Sequence, residues 1–199
     1  MVSPRSVIYA LANHVMAEAE RTMRKLFLLR HAKSSWDDPV LTDFDRPLSR
    51  RGREAAARVA GFVKRYDLVP DLALVSTARR TRETWEALAQ VMPTIPASFE
   101  PSLYAAGQTD LFRRLRQLDA ETDTVILVGH NPGLERLADF LGGGQGEPEA
   151  LDRIARKYPT GSLAELTLDI AGWEGLECGC GRITRFTRPV DLDGVDDDD

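Results

Sequence analysis

Lys25-Leu26-Phe27-Leu28-Leu29-Arg30-His31 is a short apolar run that ends on a cation and an imidazole, and Thr124-Val125-Ile126-Leu127-Val128-Gly129-His130 repeats the plan towards the other end of the chain. Continuous apolar runs of this length, bounded by polar residues, fit strands covered on both faces, as in parallel sheets flanked by helices. Open sheets of that kind bind ligands outside the carboxyl ends of their strands. Both histidines are therefore expected at one functional edge of an α/β sheet.

Working outward, Ala32 to Leu48 is polar and rich in Asp, with Pro39 and Pro47, which predicts a long surface loop beside the first strand end. Ser49 is placed to cap a helix running through Tyr66, with Val59, Phe62, Val63 and Tyr66 on one face. Leu72-Ala-Leu-Val-Ser76 reads as a second buried strand. Thr81, Trp85, Leu88 and Met92 mark the next helix, and Leu111, Leu115 and Leu118 another. After His130, Asn131 is placed to cap a helix that opens at Pro132, carries Leu134, Leu137 and Leu141 inward, and ends at glycines 142–144. Leu151, Ile154, Ala155 and Tyr158 predict one more helix, closed by Pro159. Ser162 to Ile170 and Arg182 to Arg188 are β-rich runs expected to pair antiparallel at an edge. The alternation predicts an α/β fold, a three-layer α/β/α sandwich with a mostly parallel central sheet.

The 199 residues, 43% hydrophobic and 29% charged, suit one globular domain. Asp191, Asp193 and Asp196 to Asp199 supply six negatives against a net charge of -5, so residues 1–190 come to +1 and no nucleic-acid partner is indicated. Three segments follow: an extension over 1–22 with Met23 as the better start, a folded body over 23–190, and an acidic tail over 191–199 expected to be disordered. Cys178 and Cys180 are the only cysteines, expected to be reduced in a turn and too few to hold a metal. No apolar run approaches a membrane span, and Val7 to Ala12 is too short for a signal sequence. A cytoplasmic monomer without membrane contact is expected, with His14 in solvent.

Arginine directly before histidine at a strand end sets a fork of permanent donors beside an imidazole that can be neutral at working pH. The pair suits a phosphoryl group: Arg30 holds its oxygens while a ring nitrogen of His31 faces the phosphorus for in-line attack. Here the chain resembles the histidine phosphatase superfamily, on Arg30-His31-Ala32-Lys33-Ser34, on Ser76-Thr-Ala-Arg79-Arg80-Thr-Arg-Glu-Thr84, and on Val128-Gly129-His130-Asn131-Pro132. The loop Asp43-Phe-Asp45-Arg46-Pro47-Leu48-Ser-Arg-Arg-Gly52 and the small size resemble the SixA-type phosphohistidine phosphatase branch.

The resemblance implies a phosphoglycerate mutase-like fold and a site made of His31, Arg30, Arg80 and His130. The register from Ser76 selects Arg80 over Arg79, which is expected to face water together with Arg82. It implies a phosphorylated His31 intermediate, two arginines balancing phosphoryl charge, and His130 touching the phosphoryl oxygens. No cofactor or metal is expected, because the arginines supply the charge. Ser34, Asn131 and Arg46 are candidate substrate contacts, Arg46 also being a candidate partner for a nearby Asp. Trp36, Asp37 and Asp38 are candidates for shaping access.

Ala32 stands where glycine is commoner in the superfamily. Where many of its members carry a general-acid Glu, the chain reads Glu100-Pro-Ser-Leu-Tyr-Ala-Ala-Gly, with Tyr104 or Ala105 at the expected position. An alkoxide leaves poorly without a proton, whereas an imidazole can take up a proton itself. The expected substrate is therefore phosphohistidine in a protein partner. The alternatives are a small metabolite phosphomonoester with Glu100 as acid, or a phosphate-binding module without turnover.

Overall fold

In the computed structural model, which describes residues 23–192, the apolar runs fold as β1 (Arg24–Arg30), β2 (Leu72–Ser76), β4 (Thr124–Gly129), β5 (Leu163–Leu168) and β6 (Gly181–Thr187), joined by a further strand, β3 (Ala97–Glu100). They form one sheet in the order β3-β2-β4-β1-β5-β6. The two histidine strands are parallel neighbours with Arg30 opposite Gly129, so His31 and His130 leave the sheet side by side. β2 and β3 continue the parallel set, β5 runs antiparallel to β1, and β6 runs antiparallel to β5.

Alternate side chains of each central strand enter opposite cores, as a period of two requires. Phe27, Leu29, Ile126 and Val128 meet Val59, Phe62 and Val63 of α1 (Arg50–Arg65) and Trp85 and Leu88 of α2 (Arg79–Ala89). Leu26, Leu28, Val125 and Leu127 meet α3 (Gln108–Leu115) and α4 (Gly133–Gly142) through Leu111, Leu115, Leu134, Leu137 and Leu141. α5 (Pro148–Arg156) adds Ala150 to that second core. Each such leucine, fully removed from water, contributes about 1.5–3 kcal/mol, which is why the sheet takes up both helical layers.

This three-layer order positions the site. The chain leaving β1 passes to the α1 face, and the chain leaving β4 passes to the α4 face. Their divergence opens a crevice between adjacent strand ends, the switch point at which open sheets bind ligands. Ser49 caps α1 as expected, accepting from the Gly52 amide at 3.1 Å. Gly52 lies so close to the loop after His31 that a Cβ there would stand 2.0 Å from the Lys33 carbonyl oxygen. The glycine is what lets the helix and the histidine loop touch.

Several boundaries differ from expectation. β3 was not apparent because its four residues, Ala97-Ser-Phe-Glu100, are only partly covered at the sheet edge and carry no apolar run. Met92 lies past the end of α2 at Ala89. α5 ends at Arg156, and Tyr158 instead drops beneath the sheet, where its hydroxyl donates to the Leu28 carbonyl. The folded body runs two residues into the segment expected as a tail. Asp191 sits in a 3-10 turn over Pro189–Leu192 and pairs with Arg188 and Arg153 at 2.6 and 3.0 Å.

The extension 1–22, with His14 and Val7 to Ala12, and the remaining tail 193–199 lie outside the described residues. Among the described residues, no helix is long and apolar enough to cross a membrane. Cys178 is exposed and Cys180 half-buried, both as free thiols. On the outer side of β6, Ile183 exchanges backbone hydrogen bonds with Gln145 and Glu147, at 3.0 and 2.9 Å.

Candidate active site

His31 forms the floor of the crevice, 8% exposed. Its Nδ1 lies 2.7 Å from the Ala32 carbonyl oxygen, which can only accept, so the proton resides on Nδ1 and the lone pair on Nε2. The backbone around it is tied down from two sides. The Ala32 amide donates to Thr84 Oγ1 at 3.0 Å, and the His31 amide to the Gly129 carbonyl at 3.1 Å. Ala32 is fully buried against Leu48 and Ala56. Among described non-glycine residues only Asp67 and Ala105 have positive φ, so alanine in place of glycine carries no strain here.

Arg80, in the first turn of α2, reaches back over the β2 end to both imidazoles. Its Nε donates to His31 Nε2 at 3.3 Å and its Nη2 to His130 Nδ1 at 3.4 Å. A guanidinium never accepts, so His130 Nδ1 is the acceptor, and its Nε2–H donates to Ser76 Oγ at 2.8 Å. The two rings stand 5.1 Å apart between centroids. The motif from Ser76 to Thr84 thus does three separate jobs. Ser76 fixes the tautomer of His130, Arg80 supplies charge, and Thr84 ties α2 to the loop after His31. Spacing selected Arg80, but the roles of Ser76 and Thr84 became evident only from their partners. Arg79 and Arg82 are exposed, Arg79 pairing with Glu83 at 2.7 Å.

Arg30 sits on the other side of His31. Its Nη1 donates to the Tyr158 carbonyl at 2.6 Å, while its Nε is buried without a partner. One end of the guanidinium is thereby anchored, and Nε is a donor without a partner. Asn131 does not cap α4. The cap position is Pro132, without a side-chain bond, and the Asn131 amide turns away to donate to Glu135 and the Tyr158 carbonyl at 2.9 and 3.2 Å.

Asp43 was not singled out in the sequence, yet it joins the loop to the site. Its carboxylate pairs with Arg80 Nη2 at 3.0 Å and Arg46 Nη1 at 2.8 Å, and accepts from the Tyr104 hydroxyl at 2.7 Å. Arg46 is spent on local contacts, donating to Ser35 O, Asp43 and Ser34 Oγ while its guanidinium stacks on Trp36. Arg46 therefore holds an ion pair with Asp43, and Ser34 joins the site through Arg46. Trp36 is 75% exposed at the rim. The signal for Asp43 was its place three residues before Arg46, which does not by itself reveal the contact with Arg80.

Glu100 faces elsewhere. Arg114 grips it with Nε and Nη2 at 2.8 Å each, and Ser98 donates to it at 2.9 Å. Tyr104 occupies the mouth in its place, edge-on to His130 at 5.5 Å. A cavity of about 1000 Å³ lies between α1, α5 and β6 and includes none of these groups.

Burial lowers the His31 pKa to about 3, with the nearby His130, Arg80 and Arg30 acting in the same direction against the Ala32 hydrogen bond. Burial and then Arg80 bring His130 to about 4. Both rings are neutral at working pH, so His31 Nε2 and His130 Nδ1 each present a lone pair. Nuclear magnetic resonance of the ring carbons is expected to show neither histidine titrating between pH 8 and 5. A midpoint for His31 near the ordinary value of about 6.5 would contradict this environment. The unfolded chain binds more protons between the two values, so the histidine contribution is full above about pH 6.5 and is lost as pH falls towards 3.

The family model of the histidine phosphatase superfamily (branch 1) matches residues 26–104. An uncharacterised protein of Mycobacterium tuberculosis is 34% identical over 163 residues, covering 81% of this chain and 99% of that one. Among solved structures, a proposed phosphohistidine phosphatase SixA of Nakamurella superposes with a TM-score of 0.73 at 26% identity, covering 84% of this chain and 97% of its own. The corresponding proposed SixA of Agrobacterium tumefaciens gives 0.71 at 29% identity, covering 83% and 98%.

Proposed function

The chain belongs to the histidine phosphatase superfamily, and from that premise we propose that it removes phosphate from phosphohistidine in a protein partner by way of a phosphorylated His31. The observation that carries the choice of substrate is the fate of Glu100. The one carboxylate in the region expected to supply an acid is clamped by Arg114, and its pKa is lowered, with the Arg114 and Ser98 hydrogen bonds outweighing burial. Asp43, held at about 2 by Tyr104, Arg80 and Arg46, is equally unable to hold a proton at neutral pH. A leaving group that carries its own proton suits such a site.

In the first step, the lone pair on His31 Nε2 forms a bond to phosphorus as the P–N bond of the substrate breaks. Its electron pair returns to the departing imidazole, which already bears a proton on its other nitrogen. Arg80 and Arg30 balance charge on the equatorial oxygens, and His130 lies beside the same oxygens. In the second step, water attacks phosphorus, the P–N pair returns to His31 Nε2, which keeps its Nδ1 proton, and phosphate departs with the oxygen and both hydrogens of the water.

Rates on a phosphohistidine-bearing phosphotransfer domain and on a panel of sugar and nucleotide phosphates test the reading. A kcat/KM at least about a hundredfold higher for the protein is expected, and a preference for the metabolites would overturn it. Glu100→Gln should leave phosphohistidine turnover within about threefold of wild type while costing about 1–2 kcal/mol of stability, because Arg114 loses a charged acceptor. A loss of turnover beyond about a hundredfold in a folded protein would restore Glu100 as the acid.

A further inference from the structure

The crevice also holds a carboxylate, Asp43, which neither attacks phosphorus nor donates to its oxygens. Asp43 is half-exposed at the mouth, yet Arg80, Arg46 and Tyr104 fix both its oxygens. Its own backbone carbonyl accepts from Arg80 Nη1, and the neighbouring Phe44 carbonyl accepts from the Arg79 amide at 3.0 Å, so the loop is fastened to the start of α2. The carboxylate cannot swing away without breaking several bonds at once.

Its depth in the site matters. The Arg80 guanidinium spans the distance from His31, which Nε touches, out to Asp43, which Nη2 touches. An in-line reaction at His31 Nε2 runs from the buried imidazole towards solvent. With reacting atoms starting about 3–3.5 Å apart, the leaving atom sits about 5 Å beyond His31 Nε2, on the side of the mouth that Asp43 borders. The charged and titratable groups around that position are Asp43, Tyr104, Arg46, Arg80, Arg30 and His130. Once substrate binds, Arg80 also faces the phosphoryl oxygens, while Arg46 holds Asp43 at 2.8 Å, donates to Ser34 and Ser35, and stacks on Trp36.

We propose that Asp43 is a specificity-determining residue, its fixed carboxylate favouring a leaving group that carries a proton on a ring nitrogen over one that departs as an oxyanion. This rests on the phosphohistidine reading and deepens it. A phosphorylated imidazole takes a proton from solvent on its free nitrogen, becomes cationic, and is attracted to Asp43. As His31 Nε2 bonds to phosphorus, the P–N pair returns to the ring, which departs neutral and keeps that proton. An opposite charge within about 4–6 Å raises such a pKa by about one to three units, which enlarges the reactive fraction above neutral pH. An ester leaving group gains negative charge instead, and the same carboxylate opposes it.

The test compares N-phosphoimidazole and p-nitrophenyl phosphate at pH 8 with wild type and Asp43→Asn. The substitution is expected to lower kcat/KM on phosphoimidazole about tenfold and to raise it about two- to fivefold on the ester, a change of opposite sign that general damage to the site would not give. An equal fall on both substrates overturns the inference and leaves the phosphohistidine reading standing. A wild type that prefers the ester overturns both. Should Asp43→Asn not fold, wild type alone decides. The alkaline limb of kcat on phosphoimidazole should lie about one unit above the ring's own pKa, and a limb at or below that value refutes the role of Asp43.

Discussion

His31→Ala should abolish phosphohistidine hydrolysis, with a loss of about 10⁴-fold or more, while inorganic phosphate still binds. Removal of a nucleophile costs the whole covalent route, and its effect far exceeds that of one binding contact. The surroundings indicate what would remain. Arg30 is anchored on the Tyr158 carbonyl, and His130 on Ser76, so neither depends on the His31 ring for its position. Phosphate affinity should therefore stay within about tenfold of wild type. Acid-labile label from a phosphohistidine protein should appear on wild-type chain in a rapid quench and be absent from the variant. Equal release of phosphate by the two proteins would remove His31 from the mechanism.

Arg80→Ala should lower kcat by about 10³-fold, the range found when a preorganised donor is withdrawn from developing charge. Arg80 touches both imidazoles and Asp43 while 6% exposed, so its charge acts in a partly desolvated place. Arg80→Lys should recover less than about a tenth of the lost rate. A lysine is a point charge on a flexible stem and cannot address His31, His130 and Asp43 together. Single-turnover rates separate the chemical step from binding, and an Arg80→Lys variant indistinguishable from wild type would show that net charge alone suffices.

The architecture was legible in the sequence wherever a segment is buried on a regular face. β2 and β4 have the predicted limits, and α1 begins at the predicted cap, because apolar runs and a serine cap are local signals. β3 was silent because four partly covered edge residues leave no such pattern. The same division holds at the site. Arg30, His31, Arg80 and His130 could be named because each stands in a motif at a strand or helix end. Asp43 and Ser76 could not be given roles, since one is recruited from a loop by long-range contacts and the other acts on a ring from a different strand. Asn131 was misread because an Asn before a helix satisfies the capping pattern, whereas its amide finds better acceptors in Glu135 and Tyr158.

The two borders of the sheet have a consequence for how the protein behaves in a crowded solution. An open border with free amides and carbonyls is a template on which another chain can add a strand, and long flat borders promote aggregation. Here one border is the short β3, and the other is met at Ile183 by the backbone of Gln145 and Glu147. Sheet growth is blunted on both sides, so another chain has little chance to attach by adding a strand.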